Sequence, residues 1–169
     1  MANELKINVN GKDWPVTASP DTPLLYVLTN ELRLQGPRFG CGLAQCGSCS
    51  VLVNGAEVRS CVTPVGMISG NAVTTLEGLP AYYAAQKGLK EAPALHPLSQ
   101  AFLEEQAAHC GYCYNGMTIK ASELLAQNPR PSEAEIRTHM DGHLCRCGTY
   151  ARVMKAIQVA AVRITGEVR

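Results

Sequence analysis

Residues 41–61, CGLAQCGSCSVLVNGAEVRSC, decide how this chain is read. Three cysteines fall within nine residues as Cys41-x4-Cys46-x2-Cys49, and Cys61 follows after eleven intervening residues. Gly40, Gly42 and Gly47 are interleaved with them. Glycine accepts backbone conformations closed to other residues, so such a loop can approach a compact metal group and aim its N–H groups at thiolate sulfurs. The spacing is that of a loop wrapping a [2Fe–2S] cluster, with the fourth thiolate supplied from outside the loop. Zinc sites favour paired C-x2–4-C knuckles and match it less well. Four buried structural cysteines would not crowd three of their number into so short a glycine-rich stretch. Cys41, Cys46, Cys49 and Cys61 are therefore read as the ligands of one cluster.

The flanks of this loop carry strand and turn signals. Ser50 to Val53 alternates, Asn54-Gly55 supplies a tight turn, and a strand is expected through Val58 to Val62. At the N-terminus Leu5, Ile7 and Val9 share one face, Asn10-Gly11 turns the chain, and Trp14 to Val16 returns it. Asp21 is expected to cap a short helix that has Pro23 in its first turn and Leu24, Leu25, Val27, Leu28 and Leu32 at helical spacing. Ala72 to Leu76 is one more candidate strand. Strands around one helix make an α+β domain over residues 1–78.

Gly78-Leu79-Pro80 changes the texture, and residues 79–94 are expected to form a linker. From residue 95 to 169 apolar residues recur at three and four: Leu98, Phe102 and Leu103; Met117, Ala121, Leu124 and Leu125; Ile136 and Met140 after a Ser132/Glu135 capping box; Val153, Ile157, Ala160, Ala161 and Ile164. Four short helices predict a small bundle. This half holds the other cysteines, as Cys110-x2-Cys113 and Cys145-x-Cys147. Spacing alone leaves zinc, a redox pair and an iron–sulfur cluster open. Both pairs precede expected helices, whose positive ends favour a negatively charged cluster. Gly148 provides the turn that lets Cys145 and Cys147 share one metal group, and the balance tips toward iron.

Composition narrows the classes of function. The 169 residues carry 15 Lys and Arg against 14 Asp and Glu, a net charge of +1 that gives no field to gather nucleic acid or anionic lipid. The opening MANELKINVN shows no signal-peptide pattern, and no apolar run approaches the roughly 20 residues of a membrane span. A reducing cytoplasm is the expected compartment, with export on a partner's signal as the variant. There, metal ligation is a better use of eight cysteines than disulfides. With 46% hydrophobic and only 17% charged residues, the surface is expected to be covered in part by a partner. No Ser-His-Asp set, phosphate loop or dinucleotide fingerprint supports an independent hydrolase or nicotinamide enzyme. His96, His139 and His143 read as cap or solvent residues.

Across nearly its whole length the chain resembles the small iron–sulfur subunit of the xanthine oxidase family of molybdenum hydroxylases. The likeness rests on PLLYVLTNELRLQGPRFGCG, on CGSCSVLVNG with Cys61, on LHPLSQAFLEEQAAHCGYC followed by Gly116-Met117, and on LCRCGTYARV. It implies a β-grasp, plant-type ferredoxin-like domain with one [2Fe–2S] cluster on Cys41, Cys46, Cys49 and Cys61. It implies a second on Cys110, Cys113, Cys145 and Cys147 in a C-terminal four-helix bundle. By the same resemblance molybdopterin, in its cytosine dinucleotide form, sits on a separate large subunit that hydroxylates an aldehyde or N-heteroaromatic substrate with water. The chain then passes electrons to an FAD-binding medium subunit or to haem on a cytochrome c subunit. The competing reading is a stand-alone ferredoxin-like carrier or redox sensor with no molybdenum partner. Three departures from the family pattern stand out. His109 occupies a position that is usually glutamine and contacts the pterin. Tyr114-Asn115 replaces Thr-Pro and is expected to leave the following helix start less fixed. Ala44 replaces a frequent glycine.

Overall fold

The computed structural model describes residues 5–166. The alternating segments pair into one five-stranded sheet. Strands β1 (Leu5–Val9) and β2 (Lys12–Val16) form an antiparallel hairpin, with Asn10 and Gly11 both at positive φ as a tight Asn-Gly turn requires. Strands β3 (Ser50–Val53) and β4 (Ala56–Arg59) repeat the device on Asn54-Gly55. Strand β5 (Ala72–Thr74) lies between them, parallel to β1 and antiparallel to β3, giving the order β2-β1-β5-β3-β4. β4 stops at Arg59, short of the expected Val62. Val62 N–H turns back to Arg59 O (3.2 Å), and the Ser60 hydroxyl donates to Cys49 O (2.6 Å). Cys61 is thus presented from a turn and not from a strand.

Helix α1 (Leu24–Tyr26) continues at once as a π-helical turn, Val27–Glu31. Leu24, Val27 and Leu28 bury themselves against Ile7, Val9, Val51 and Val73 of the sheet. The Thr29 hydroxyl takes the Leu25 carbonyl (2.9 Å), a back-bond that competes with the backbone ladder, and Leu32 N–H reaches Val27 O instead. Asp21 does not cap this helix. Pro23 is itself the N-cap and no side chain serves there, while Asp21 bonds the Ser19 hydroxyl.

Residues 79–87, expected as linker, form helix α2 (Leu79–Lys87). Pro80 lies in its first turn, where a missing N–H costs nothing, so Gly-Leu-Pro opens a helix. Leu79 is fully buried with Leu52 and Ile119. Helices α3 (Pro97–Glu104), α4 (Tyr114–Gln127), α5 (Glu133–His139) and α6 (Tyr150–Thr165) follow, close to the expected spans. Phe102, Met117, Leu125, Ile136 and Ile157 fill the core between them. Helix α4 is buried on several sides, because Ile119 faces β3 and α2 while Met117 and Leu124 face the helical core. It is the element through which sheet and helices dock. Among the described residues no helix is long and apolar enough to cross a membrane.

Candidate functional site

The eight cysteines are all free thiols and stand on four segments: the loop before β3, the turn after β4, and the loops leading into α4 and α6. Cys41 and Cys46 are partly exposed on the loop before β3, while Cys49 and Cys61 are buried side by side under Leu25. Across from them Cys110 and Cys113 lead into α4, with Cys113 as its N-cap, and Cys145 and Cys147 lead into α6. The thiols interact electrostatically in pairs, Cys49 with Cys61, Cys113 with Cys145 and Cys110 with Cys147. Among the described residues no closed group of three or more His, Cys, Asp or Glu side chains is drawn together. Cys41, Cys46, Cys110, Cys113 and Cys145 nevertheless line one cavity of about 420 Å³ between the two loop systems.

The first loop carries the donor pattern that a sulfur-rich anion requires. Leu43 and Gln45 aim their N–H groups at Cys41 Sγ (3.4 and 3.2 Å), and Cys41 N–H points at Cys46 Sγ (3.3 Å). Burial pushes the Cys41 thiol up, yet these backbone donors outweigh it and bring the group to about 7. Gly40 stands so close that a Cβ there would lie 2.5 Å from Cys46 Sγ. Gly42 and Gly47 adopt positive φ, and so does Ala44 at 59°, which explains why glycine suits that position. In the helical half burial raises the Cys145 thiol but hydrogen bonds from Thr149 and its neighbours bring it to about 7. Burial likewise pushes Cys49 and Cys113 up to about 12. Ligation deprotonates thiols of this kind and would release their protons. Both donor sets, four thiols each beside converging N–H groups or helix starts, fit an iron–sulfur group.

The loops that bear the two sets touch each other. Leu144 N–H, next to Cys145, donates to Cys46 O at 3.0 Å. Asn115, expected to loosen the start of α4, does the opposite: its amide donates to Ser48 O and Ser50 O, both at 2.9 Å. The Tyr112 hydroxyl bonds Phe39 O, while Arg38 lies over the Tyr112 ring at 5.5 Å. Gly116 of α4 presses on the Gly47 carbonyl, where an added Cβ would stand 2.1 Å away.

His109 is exposed in an open groove with Phe102, Gln106 and Arg152, on the edge of the Cys110 loop. His96 is indeed a cap, with Nδ1 accepting Leu98 N–H at 3.1 Å, though buried and not solvent-facing. His143 is not a solvent residue. It is 3% exposed and belongs to a buried polar cluster with Ser50, Glu57 and Arg59. Ser50, Glu57 and Arg59 are brought together by the register of the β3–β4 hairpin, but no sequence spacing links them to His143, which arrives only where the two halves meet.

A family model described as a 2Fe-2S iron-sulfur cluster binding domain matches residues 7–72, and one described as a [2Fe-2S] binding domain matches residues 85–158. A nicotinate dehydrogenase subunit of Pseudomonas putida is 47% identical over 161 residues, covering 95% of this chain and 96% of that one. The alpha subunit of isoquinoline 1-oxidoreductase from Brevundimonas diminuta is 46% identical, covering 90% and 94%. Quinoline 2-oxidoreductase from Pseudomonas putida superposes with a TM-score of 0.83 at 34% identity over 98% of each chain. In the aldehyde oxidoreductase from Desulfovibrio desulfuricans the match (TM-score 0.85, 33% identity) spans 97% of this chain but only 17% of that one. With its thiol-bearing loops, its two matched domains and relatives of the same length, the chain belongs to the small [2Fe–2S] iron–sulfur subunits of the xanthine oxidase family of molybdenum hydroxylases.

Proposed function

We propose that this chain relays electrons from a molybdopterin site, in the cytosine dinucleotide form, on a separate large subunit to an FAD-binding medium subunit or a cytochrome c subunit. Cys110, Cys113, Cys145 and Cys147 hold the [2Fe–2S] cluster nearer the pterin, and Cys41, Cys46, Cys49 and Cys61 hold the outer one. The accompanying domain reading is a β-grasp unit over 1–78, a connecting segment over 79–94 and a four-helix bundle over 95–169. The sheet order around a packed helix and the four helices after residue 95 support it. The observation that carries the function is the direct Leu144 N–H to Cys46 O bond, which joins the two sets through one hydrogen bond. When bound, the clusters supply one-electron steps, as a two-electron oxidation upstream requires.

The protein's own groups stabilise and cover this relay. The N–H donors of Leu43 and Gln45 balance negative charge at Cys41. Phe39, Leu43 and Val62 beside one set, and Leu144 and Tyr150 beside the other, expose apolar surface suited to burial by partner subunits. To His109, which is exposed at the edge of the inner set, we assign the pterin contact, donating or accepting from one ring nitrogen at a time. The two nearly half-identical relatives are named for nicotinate and isoquinoline, which favours an N-heteroaromatic substrate over an aldehyde. The compartment we assign is the cytoplasm, with co-export on a partner's signal as the alternative.

Metal analysis of the purified complex should find about four iron and four acid-labile sulfide per chain, with two distinguishable EPR signals on reduction. Cys113→Ser should remove the inner signal, keep the outer one and stop turnover with every acceptor. Normal turnover in that variant would refute the assigned order. A chain that purifies alone, with no molybdenum on any associated polypeptide, would favour the stand-alone carrier.

A further inference from the structure

Arg59 belongs to no thiol set, yet its guanidinium lies where the two sets are joined. It stands at the end of β4, two residues before Cys61, and reaches across to the turn that leads into Cys145. Nη2 donates to Gly142 O at 3.3 Å, and Nη1 lies 3.1 Å from His143 Nε2 and 3.2 Å from Ser50 Oγ. Nε pairs with Glu57 Oε1 at 3.1 Å, and His143 Nε2 is 3.7 Å from the same oxygen. Glu57 is in turn held at the helical side, since its own N–H donates to Glu123 Oε1 at 2.7 Å and Lys120 bridges both carboxylates.

We propose that Arg59 is a positioning residue that fixes the Cys145 loop against the Cys46-Gly47 loop, and so sets the separation and electronic coupling of the two cluster sites. The inference rests on the two-cluster relay argued above. Its physical basis is the fork. A planar guanidinium offers donors in several directions at once, whereas an ammonium on the same strand could satisfy only part of this set. The surroundings have no slack, because a Cβ on Gly47 would stand 2.3 Å from both Arg59 Nη1 and His143 Cδ2. Losing the guanidinium therefore removes packing from both Gly47 and His143. These residues flank the two ends of the Cys46–Leu144 hydrogen bond, so that bond is the first contact to lengthen. Removing Arg59 also strips Glu57 of its ion pair at Nε and leaves it to Ser50 and Lys120, so the charge balance of the cluster changes where the two loops meet.

The test uses the holo complex carrying Arg59→Lys or Arg59→Ala. Iron per chain, the magnetic splitting between the two reduced clusters, and amide hydrogen exchange are measured together. Arg59→Lys should keep its iron, lose resolved splitting and exchange the Leu144 amide faster, with Arg59→Ala further along the same course. A variant with full iron and unchanged splitting overturns the proposal, whatever happens to its thermal stability. If Arg59→Ala loses iron, exchange decides. Opening confined to residues 142–148 and 46–48, with the β1–β2 hairpin still protected, supports positioning, and protection lost uniformly along the chain overturns it. A wild-type chain holding one cluster or none would instead refute the relay itself, before any variant is made.

Discussion

Gly116 is the residue at which local and tertiary preferences disagree most sharply. Inside a helix, glycine to alanine ordinarily gains about 0.5–1 kcal/mol through backbone entropy and propensity. Here the new methyl would stand 2.1 Å from the Gly47 carbonyl oxygen, a backbone atom that cannot swing aside. Gly116→Ala should therefore destabilise the chain by about 2 kcal/mol or more, in the manner of an overpacked core, as read from its urea midpoint. A gain in stability would mean that α4 does not rest on the thiol loop as described. Ala44 makes the complementary point, since it adopts φ 59° within the same loop where glycine would be unstrained. That strain is legible only once the backbone is seen.

Among the elements, α5 depends most on its own ends. It is seven residues long, with Ile136 as its buried anchor, too short to persist by propensity. Ser132 accepts Glu135 N–H while the Glu135 carboxylate takes Ser132 N–H at 2.7 Å, a complete capping box. Ser132→Ala should cost about 1 kcal/mol in denaturant unfolding and raise hydrogen exchange locally over α5. Global unfolding without local change would argue against an independent role for the box. This motif was legible as a serine with a glutamate three residues on. The π turn after α1 was not, because it depends on which carbonyl the Thr29 hydroxyl occupies. Helix α2 was hidden for another reason: its apolar anchor, Leu79, is explained only by Leu52 and Ile119 from distant parts of the chain.

At the scale of the molecule, the buried polar groups make stability depend on acid in two steps. Burial holds His96 down from 6.5 to about 4, so the unfolded chain takes up its proton first and stability falls as pH drops through that window. Burial raises Glu57, but the neighbouring His143, the Ser50 hydroxyl that donates to it and the charge of Arg59 bring it from 4.5 down to about 2. Its contribution is therefore fully present above about pH 4.5 and is lost as pH falls toward 2. The difference in urea midpoint between wild type and Glu57→Gln should shrink steadily across that lower window. A constant offset between the two would show that the pairing is not its source.

The sequence by itself determined both Asn-Gly hairpins, the α+β character of the first half and the helices from Pro97 onward, and it is the source of the proposed four-plus-four division of the cysteines. Each of these is written in local spacing, turn chemistry or period, which act within a few residues. Only the tertiary structure decided that the two thiol loops lie against each other. Asn115, Gly116 and His143 converge on Gly47, Ser48 and Ser50 from the far half of the chain, His143 lying 93 residues from Ser50, whereas Arg59 meets Ser50 through the register of the β3–β4 hairpin. No periodicity encodes the long-range part of this meeting, since the close packing of Gly116 on Gly47 and the pairing of Arg59 with His143 exist only after the halves dock.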